Sequence, residues 1–201
     1  MAGRAHDPGW VKVENARPGS RGWRIPTDRV APEQDLGGYT DAVSVMAGED
    51  VPLRLSSALG PVTVTAFRLG HYGGTGARLV WRSAPLRAGR EPMPTADALG
   101  TVRCGWPMAT RLRTQGWPEG SYLLRLDAGG KARYVPLTVR STETRGRLVL
   151  VSAVASYQAY NQWGGHSLYK GPDGTFGTRA RAVSFAIGQF PIHVSPPLPA
   201  V

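Results

Sequence analysis

Short segments with alternating hydrophobic and polar residues recur along the middle of the chain, and turn residues separate them. In the segment 51–57, for example, Val51, Leu53 and Leu55 share one face, as in a half-buried β-strand. Short strands at near-regular spacing are typical of an antiparallel β-sandwich. The pattern predicts about seven strands, at 42–46, 51–57, 62–69 and 78–83, one or two within 102–114, and at 122–127 and 133–140.

The predicted fold class is therefore mainly β, and one aromatic residue indicates the type of β-sandwich. Tyr122 enters a strand directly after a turn, a position common in immunoglobulin-like sandwiches, so we expect such a domain at 38–141. The preceding residues, 1–37, are rich in Gly, Pro and Arg and lack apolar periodicity. They predict an extended N-terminal arm with turns, which Trp10 and Trp23 are suited to attach to the sandwich.

The pattern changes after residue 146. Residues 147–155 form a continuous apolar run, RLVLVSAVA, as expected of a strand buried on both faces. Ligands of open α/β sheets bind at the carboxyl ends of such strands, so we predict a functional site in the chain directly after this run. We expect the start of an incomplete α/β domain at 146–185, followed by an irregular, proline-rich tail at 186–201.

Composition supports this picture and excludes several classes of protein. The chain has 201 residues with 26 glycines and 17 prolines, which favours short strands and turns over long helices. A single cysteine excludes an internal disulfide and a cysteine-based zinc site, since each needs at least two. No apolar run reaches about 18 residues, and no apolar signal core follows Met1, so we expect a cytoplasmic protein with no membrane partner.

The net charge of +10 suggests an anionic partner only at first sight. The arginines are scattered singly along the chain, and no run of five basic residues occurs. The interleaved basic and aromatic motif of RNA-binding modules is also missing. Nucleic-acid binding is therefore not expected.

Three smaller features have simple structural explanations. The glycine-rich loop 70–76 matches neither phosphate-binding pattern and precedes a strand, so its glycines predict a hairpin. Cys104 lies in a strand-like context with no histidine nearby, and we expect it to be buried. The histidines lack the spacing of a metal pair, and no G-x-S-x-G elbow surrounds Ser167. His166 is therefore expected to be a hydrogen-bonded loop residue.

The segment 156–169, SYQAYNQWGGHSLY, combines three tyrosines, a tryptophan and an asparagine directly after the apolar run. A phenolate oxygen is a hard, anionic ligand that suits ferric iron, so these tyrosines are candidate metal ligands. The same composition also fits an aromatic patch at a domain interface. The residues by themselves leave both interpretations open.

The residues YQAYNQWGGHSLY at 157–169 resemble the start of the C-terminal domain in the N,N-dimethylformamidase large (beta) subunit family. The upstream stretches at 37–45, 68–78, 116–126 and 134–140 resemble the N-terminal sandwich of that family. Several motifs in the same order make this resemblance more specific than any single match.

The resemblance implies an iron-dependent amidohydrolase that cleaves small N-substituted amides to an amine and formate. The implied fold is a sandwich followed by an α/β domain similar to glutamine amidotransferases, and the iron, held by two tyrosines and a glutamate, activates the attacking water. On this sequence the resemblance places one ligand at Tyr160, or alternatively Tyr157, and a substrate loop at Asn161, Trp163 and His166. It also implies a small partner subunit or a homo-oligomer.

The chain departs from the family pattern after Phe185. Where the family continues with an acidic residue and Arg-Pro-Tyr, the sequence reads AIGQF, and no His-x-Glu occurs to supply the glutamate ligand. We therefore expect a C-terminally truncated relative that is inactive by itself. The alternative expectation is a stand-alone β-sandwich that binds a protein or glycan through an exposed aromatic patch around Trp163 and Tyr169.

Overall fold

The computed structural model describes residues 9–142 and 149–186, and in these parts eight β-strands and two short α-helices form. The helices are α1 (Trp10–Asn15) and α2 (Val154–Tyr160). The strands are β1 (Leu36–Thr40), β2 (Ser44–Met46), β3 (Asp50–Ser57), β4 (Thr63–Leu69), β5 (Ala77–Arg82), β6 (Met108–Arg113), β7 (Gly120–Ala128) and β8 (Lys131–Arg140).

The strands form two sheets that pack face to face. The small sheet has the order β1-β3-β6, and the large sheet has the order β2-β8-β7-β4-β5. Between them lies a core that both sheets build, which confirms a mainly β fold of two layers. The predicted inward face of β3 is confirmed, and its residues meet those of β4, β7 and β8: Val51, Leu53, Leu55, Val64, Ala66, Leu124, Leu126, Leu137 and Val139.

One strand departs from the predicted antiparallel pairing. β2 pairs with β8 in parallel, with Ser44 opposite Thr138, whereas the other strand pairs are antiparallel. After β1 the chain leaves the small sheet at 41–43 and joins the edge of the large sheet. This change of sheet lets Val45 enter the core, where it is 5% exposed.

The local pattern missed β1, and of the one or two strands predicted within 102–114 one forms. All five residues of β1 are buried, and two are glycines, so the sequence shows no alternation there. A Cβ at Gly38 would lie 2.9 Å from the Leu55 side chain, which explains a glycine in this strand. In the segment 102–114 only β6 forms, because the residues before it pack at the side of the sandwich instead.

The N-terminal residues are attached to the large sheet as Trp10 and Trp23 predicted. Trp23 is buried against Phe67, and its indole N–H donates to the carbonyl of Thr75 at 2.8 Å. The guanidinium of Arg68 lies 5.4 Å from the Trp10 ring centroid. The prediction of an extended arm is wrong at α1, where six residues without Gly or Pro form a helix.

The glycine-rich loop confirms the predicted hairpin between β4 and β5. Gly73, Gly74 and Gly76 have φ angles of +62°, +84° and +88°, which favour glycine. Tyr72 also adopts the left-handed conformation, with φ +43°, and is 2% exposed. Buried hydrogen bonds of its hydroxyl with Arg68 and Glu14 hold it there.

The predicted strand at 147–155 is wrong where the structure describes it. Residues 149–153 are in neither strand nor helix, and α2 begins at Val154. A strand needs a hydrogen-bonded neighbour, and neither sheet pairs with this run. Residues 147 and 148, and the predicted tail beyond Ala186, lie outside the described residues. No helix in residues 9–142 or 149–186 is long and apolar enough to cross a bilayer.

Candidate functional site

The aromatic segment, residues 154–186, is attached to one side of the sandwich by Trp163. This side chain is 4% exposed, and its ring meets that of Trp106 edge-on, with centroids 6.0 Å apart and an interplanar angle of 77°. The ring of Tyr39 lies 5.7 Å from that of Trp106. Together these residues form what we call the side cluster: Tyr39, Val102, Cys104, Trp106 and Trp163.

The turn after α2 directs Trp163 into the side cluster. Asn161 accepts a hydrogen bond from the Trp163 backbone N–H at 3.0 Å, and its amide donates to the Gln158 side chain at 3.2 Å. Gly164 follows with φ +81°, and a Cβ there would lie 2.7 Å from Val102. Only glycine satisfies both the backbone angle and this close approach.

Backbone hydrogen bonds attach the rest of the aromatic segment to the loop before β6. The N–H of Arg181 donates to the carbonyl of Leu99, and the N–H of Cys104 donates to the carbonyl of Ala186, each at 2.7 Å. Within the segment, the N–H of Ala180 donates to the carbonyl of Ser167 at 2.8 Å. The segment is thus held at its beginning and at its end.

The candidate ligands Tyr157 and Tyr160 lie on the outer side of the aromatic segment. Tyr160 is 64% exposed, and its ring stacks on that of Tyr169 with centroids 4.3 Å apart and an interplanar angle of 8°. A hydrogen bond to Tyr160 raises the pKa of the Tyr169 hydroxyl. Sequence reasoning did not pair these two tyrosines, which lie nine residues apart on opposite sides of the turn.

The three predicted substrate-loop residues lie around one small cavity. Asn161 and Trp163 are buried, and the Nδ1 atom of half-buried His166 lies 3.3 Å from the carbonyl oxygen of Gly164, within hydrogen-bond distance. The cavity has a volume of about 10 Å³, enough for roughly one water molecule. Its lining is Gly100, Val102, Gln158, Asn161, Trp163, His166, Val183 and Ser184, so neither candidate tyrosine contributes.

A larger cleft, of about 390 Å³, is lined in part by Trp106 and Trp163. Sequence reasoning missed it because its residues come from distant parts of the chain, and no local motif marks them. Besides the two tryptophans, its lining is Glu33, Gln34, Ser56, Arg90, Glu91, Pro92 and Met93.

The described residues bring two phenols together but form no cluster of other metal-binding side chains. Within 9–142 and 149–186, no three His, Cys, Asp or Glu side chains come together. The phenol of Tyr169 lies beside that of Tyr160, and the raised pKa of Tyr169 opposes the loss of a proton that ligation by Tyr169 would require. Tyr160 is also the more exposed phenol of this pair.

Tyr39 makes the stability of the side cluster sensitive to alkaline pH. Its hydroxyl donates to the carbonyl of Cys104 at 3.1 Å, and burial raises the pKa of Tyr39 from 10.0 to about 12. The folded state therefore holds this proton more tightly than the unfolded chain, so the stabilisation is complete below pH 10 and is lost between pH 10 and 12. We expect Tyr39→Phe to lower the free energy of unfolding by about 1 kcal/mol at neutral pH. Between pH 10 and 12, the free energy of unfolding of this variant should change less with pH than that of the wild type.

Urea unfolding of both proteins between pH 8 and about pH 12 measures this difference. Tyr157→Phe, at an exposed tyrosine, is the control and should keep the wild-type slope. Part of the slope stays in Tyr39→Phe, because burial also raises the pKa values of Tyr122 and Tyr134. If the free energies of unfolding of Tyr39→Phe and of the wild type change in parallel with pH, Tyr39 does not cause the alkaline sensitivity.

Comparison with known protein families gives a match, which includes strands of the sandwich and the aromatic segment. A family model described as N,N-dimethylformamidase beta subunit-like, C-terminal, matches residues 63–189. The match begins at β4 inside the sandwich and runs through β8, α2 and the aromatic segment. It covers more than half of the 201 residues. No curated protein matches the chain.

Proposed function

Because the chain belongs to the N,N-dimethylformamidase beta subunit-like, C-terminal family, we propose that it is part of an iron-dependent amidohydrolase. The proposed reaction is hydrolysis of small N-substituted amides to an amine and formate. The sandwich and the aromatic segment serve as the scaffold, with Asn161, Trp163 and His166 as the substrate loop. The chain contributes one phenolate ligand, from Tyr160 or alternatively Tyr157, and has no hydrolytic activity by itself.

One observation carries this proposal: Trp163 fastens the aromatic segment to the sandwich while Tyr160 stays at the surface. The tryptophan is 4% exposed in the side cluster, whereas Tyr160, three residues earlier, is 64% exposed. A metal ligand must be held in place and must also be reachable by the metal and by the other ligands. The turn between these two residues meets both requirements.

The proposed lack of activity follows from the number of ligands. Hydrolysis at a metal needs a set of ligands that holds the ion and leaves a position for water. Three phenols of the aromatic segment face solvent, those of Tyr157, Tyr160 and Tyr169, but no three His, Cys, Asp or Glu side chains of the described residues form a cluster. In this proposal the other ligands come from outside the described residues.

Tyr122 supports the finer proposal of an immunoglobulin-like sandwich. Tyr122 lies near the start of β7, and its hydroxyl donates to the carbonyl of Pro118, four residues upstream in the preceding turn, at 2.5 Å. A buried tyrosine bonded back to the preceding turn is a recurrent feature of such sandwiches. The amidotransferase-like domain, the cytoplasmic location and the small partner subunit stay predictions.

Ferric iron and N,N-dimethylformamide test the proposal directly. Ferric nitrilotriacetate is added to the purified full chain, and the visible charge-transfer band of iron phenolate is recorded. Iron retained after gel filtration and released dimethylamine are then measured. We expect a weak band, no retained iron and no amine.

Two matched variants assign the band. We expect Tyr160→Phe to abolish it and Tyr157→Phe to leave it unchanged, and the reverse result would move the ligand to Tyr157. A wild-type chain without any band would overturn the proposed phenolate ligand. Stoichiometric iron together with dimethylamine release would overturn the proposed lack of activity.

A further inference from the structure

Three consecutive apolar side chains before α2 are almost fully exposed. Val149, Leu150 and Val151, which we call the apolar strip, are 73%, 89% and 83% exposed. Neither face of this strip is covered by the described residues. No backbone hydrogen bond joins the strip to the rest of the described chain. Among the described residues, both its side chains and its peptide groups therefore have no partner, an arrangement that favours strand pairing with another chain.

The strip begins a stretch in which two copies of this basic protein can approach each other. Residues 149–169 contain no Asp, Glu, Lys or Arg, although the whole chain carries a net charge of +10. Electrostatic repulsion between two copies is therefore weakest where they meet through this stretch. Further exposed aromatic side chains follow within it: Tyr157, Tyr160 and Tyr169.

We propose that the apolar strip pairs with the strip of a second copy, as antiparallel β-strands in a symmetric dimer. The sequence Val-Leu-Val reads the same in both directions, so pairing centred on Leu150 is self-complementary. In this register Leu150 lies opposite the partner's Leu150, and Val149 lies opposite the partner's Val151. This interface is independent of the proposed hydrolase activity.

The proposed pairing satisfies the backbone and the side chains together. The peptide groups of the strip gain the hydrogen bonds of an antiparallel ladder, and the β-branched valines form favourable cross-strand pairs. A two-stranded ribbon is marginal by itself, so contacts of residues that flank the strip have to extend it. Since a standard interface buries about 800 Å² per partner, we expect a smaller contact and a Kd in the micromolar range.

Sedimentation velocity of the full chain across the micromolar range tests the dimer. We expect the wild type to pass from monomer to dimer as its concentration rises. Leu150→Asp removes two leucines from the interface and places two carboxylates opposite each other, so we expect Kd to rise about 100-fold or more. Leu150 lies outside the folded core, so this variant should fold normally.

Val13→Asp is the matched control, because Val13 is an exposed valine on α1 and not part of the strip. We expect it to dimerise like the wild type. A wild type that stays monomeric throughout would overturn the proposal. A dimer that Leu150→Asp does not weaken would also overturn it, as would open-ended aggregates in place of a dimer.

A cysteine in the strip tests the register. Opposite residues of antiparallel strands have Cα atoms about 4.5–5.5 Å apart, a distance that a disulfide spans. We therefore expect Leu150→Cys to form a covalent dimer with diamide, two thiols giving two protons and two electrons to the azo compound, which becomes a hydrazine. Val13→Cys should stay monomeric, and the native Cys104 is buried. A non-covalent dimer without this cross-link would overturn the register.

Discussion

Replacing Trp163 with alanine should detach the aromatic segment from the sandwich while both sheets stay folded. The indole is 4% exposed and packs on Trp106, so its removal leaves a cavity in the side cluster. Truncation of a buried tryptophan typically costs about 3–5 kcal/mol. The core between the two sheets is a separate cluster that Trp163 does not enter, so the loss should be local.

Hydrogen exchange measured amide by amide separates local from global unfolding. The N–H groups of Cys104 and Arg181 join the segment to the loop before β6, and we expect them to exchange about 100-fold faster or more. The amides of β7 and β8 should keep their protection. Phe176→Ala, at a residue 61% exposed in the same segment, is the control and should change neither group. Equal acceleration throughout the chain would contradict a local role.

Replacing Glu14 with glutamine should loosen α1 from the hairpin between β4 and β5. The Glu14 Oε1 atom accepts from the Tyr72 hydroxyl at 3.0 Å and from Arg78 at 2.6 Å, and its carboxylate is buried. Burial lowers the pKa of Arg78, but its hydrogen bond to Glu14 and the negative charge of Glu14 raise the pKa overall. Removing one partner of a buried ion pair typically costs about 3–5 kcal/mol, because the other charge stays desolvated.

Limited proteolysis after Lys12, together with thermal unfolding, measures this effect. We expect faster cleavage at this position and a lower Tm in Glu14→Gln. Glu33→Gln removes one negative charge at an exposed position and should behave like the wild type. If the two variants prove equally stable, Glu14 does not hold the helix.

Most of the sandwich could be predicted because its strands bury one face. The alternation in β3, β7 and β8 is a direct consequence of side chains that point to opposite faces of a strand. β1 escaped detection since it is buried on both sides and contains two glycines. The run at 147–155 was misjudged for a related reason: an apolar sequence shows that cover is needed, but it does not provide the neighbouring strand.

The candidate site could be located but not arranged from the sequence. The motif at 157–169 pointed to this segment, and the family match covers it. Neither could show that Trp163 is buried, so the predicted exposed patch around Trp163 and Tyr169 is wrong for Trp163 and holds only for Tyr169, which is 45% exposed. The partners of Trp163 come from β1 and from the loop before β6, far away in sequence.

The sequence by itself determined the strand-rich character, the hairpin glycines and the family, because these depend on residue type and short spacing. The tertiary structure alone decided that β2 joins the large sheet, that Trp163 completes the side cluster and that Tyr160 stacks on Tyr169. It also decided that the apolar strip stays uncovered by the described residues. These features depend on which distant segments meet, and that is set by the packing of the whole core and not by any local pattern.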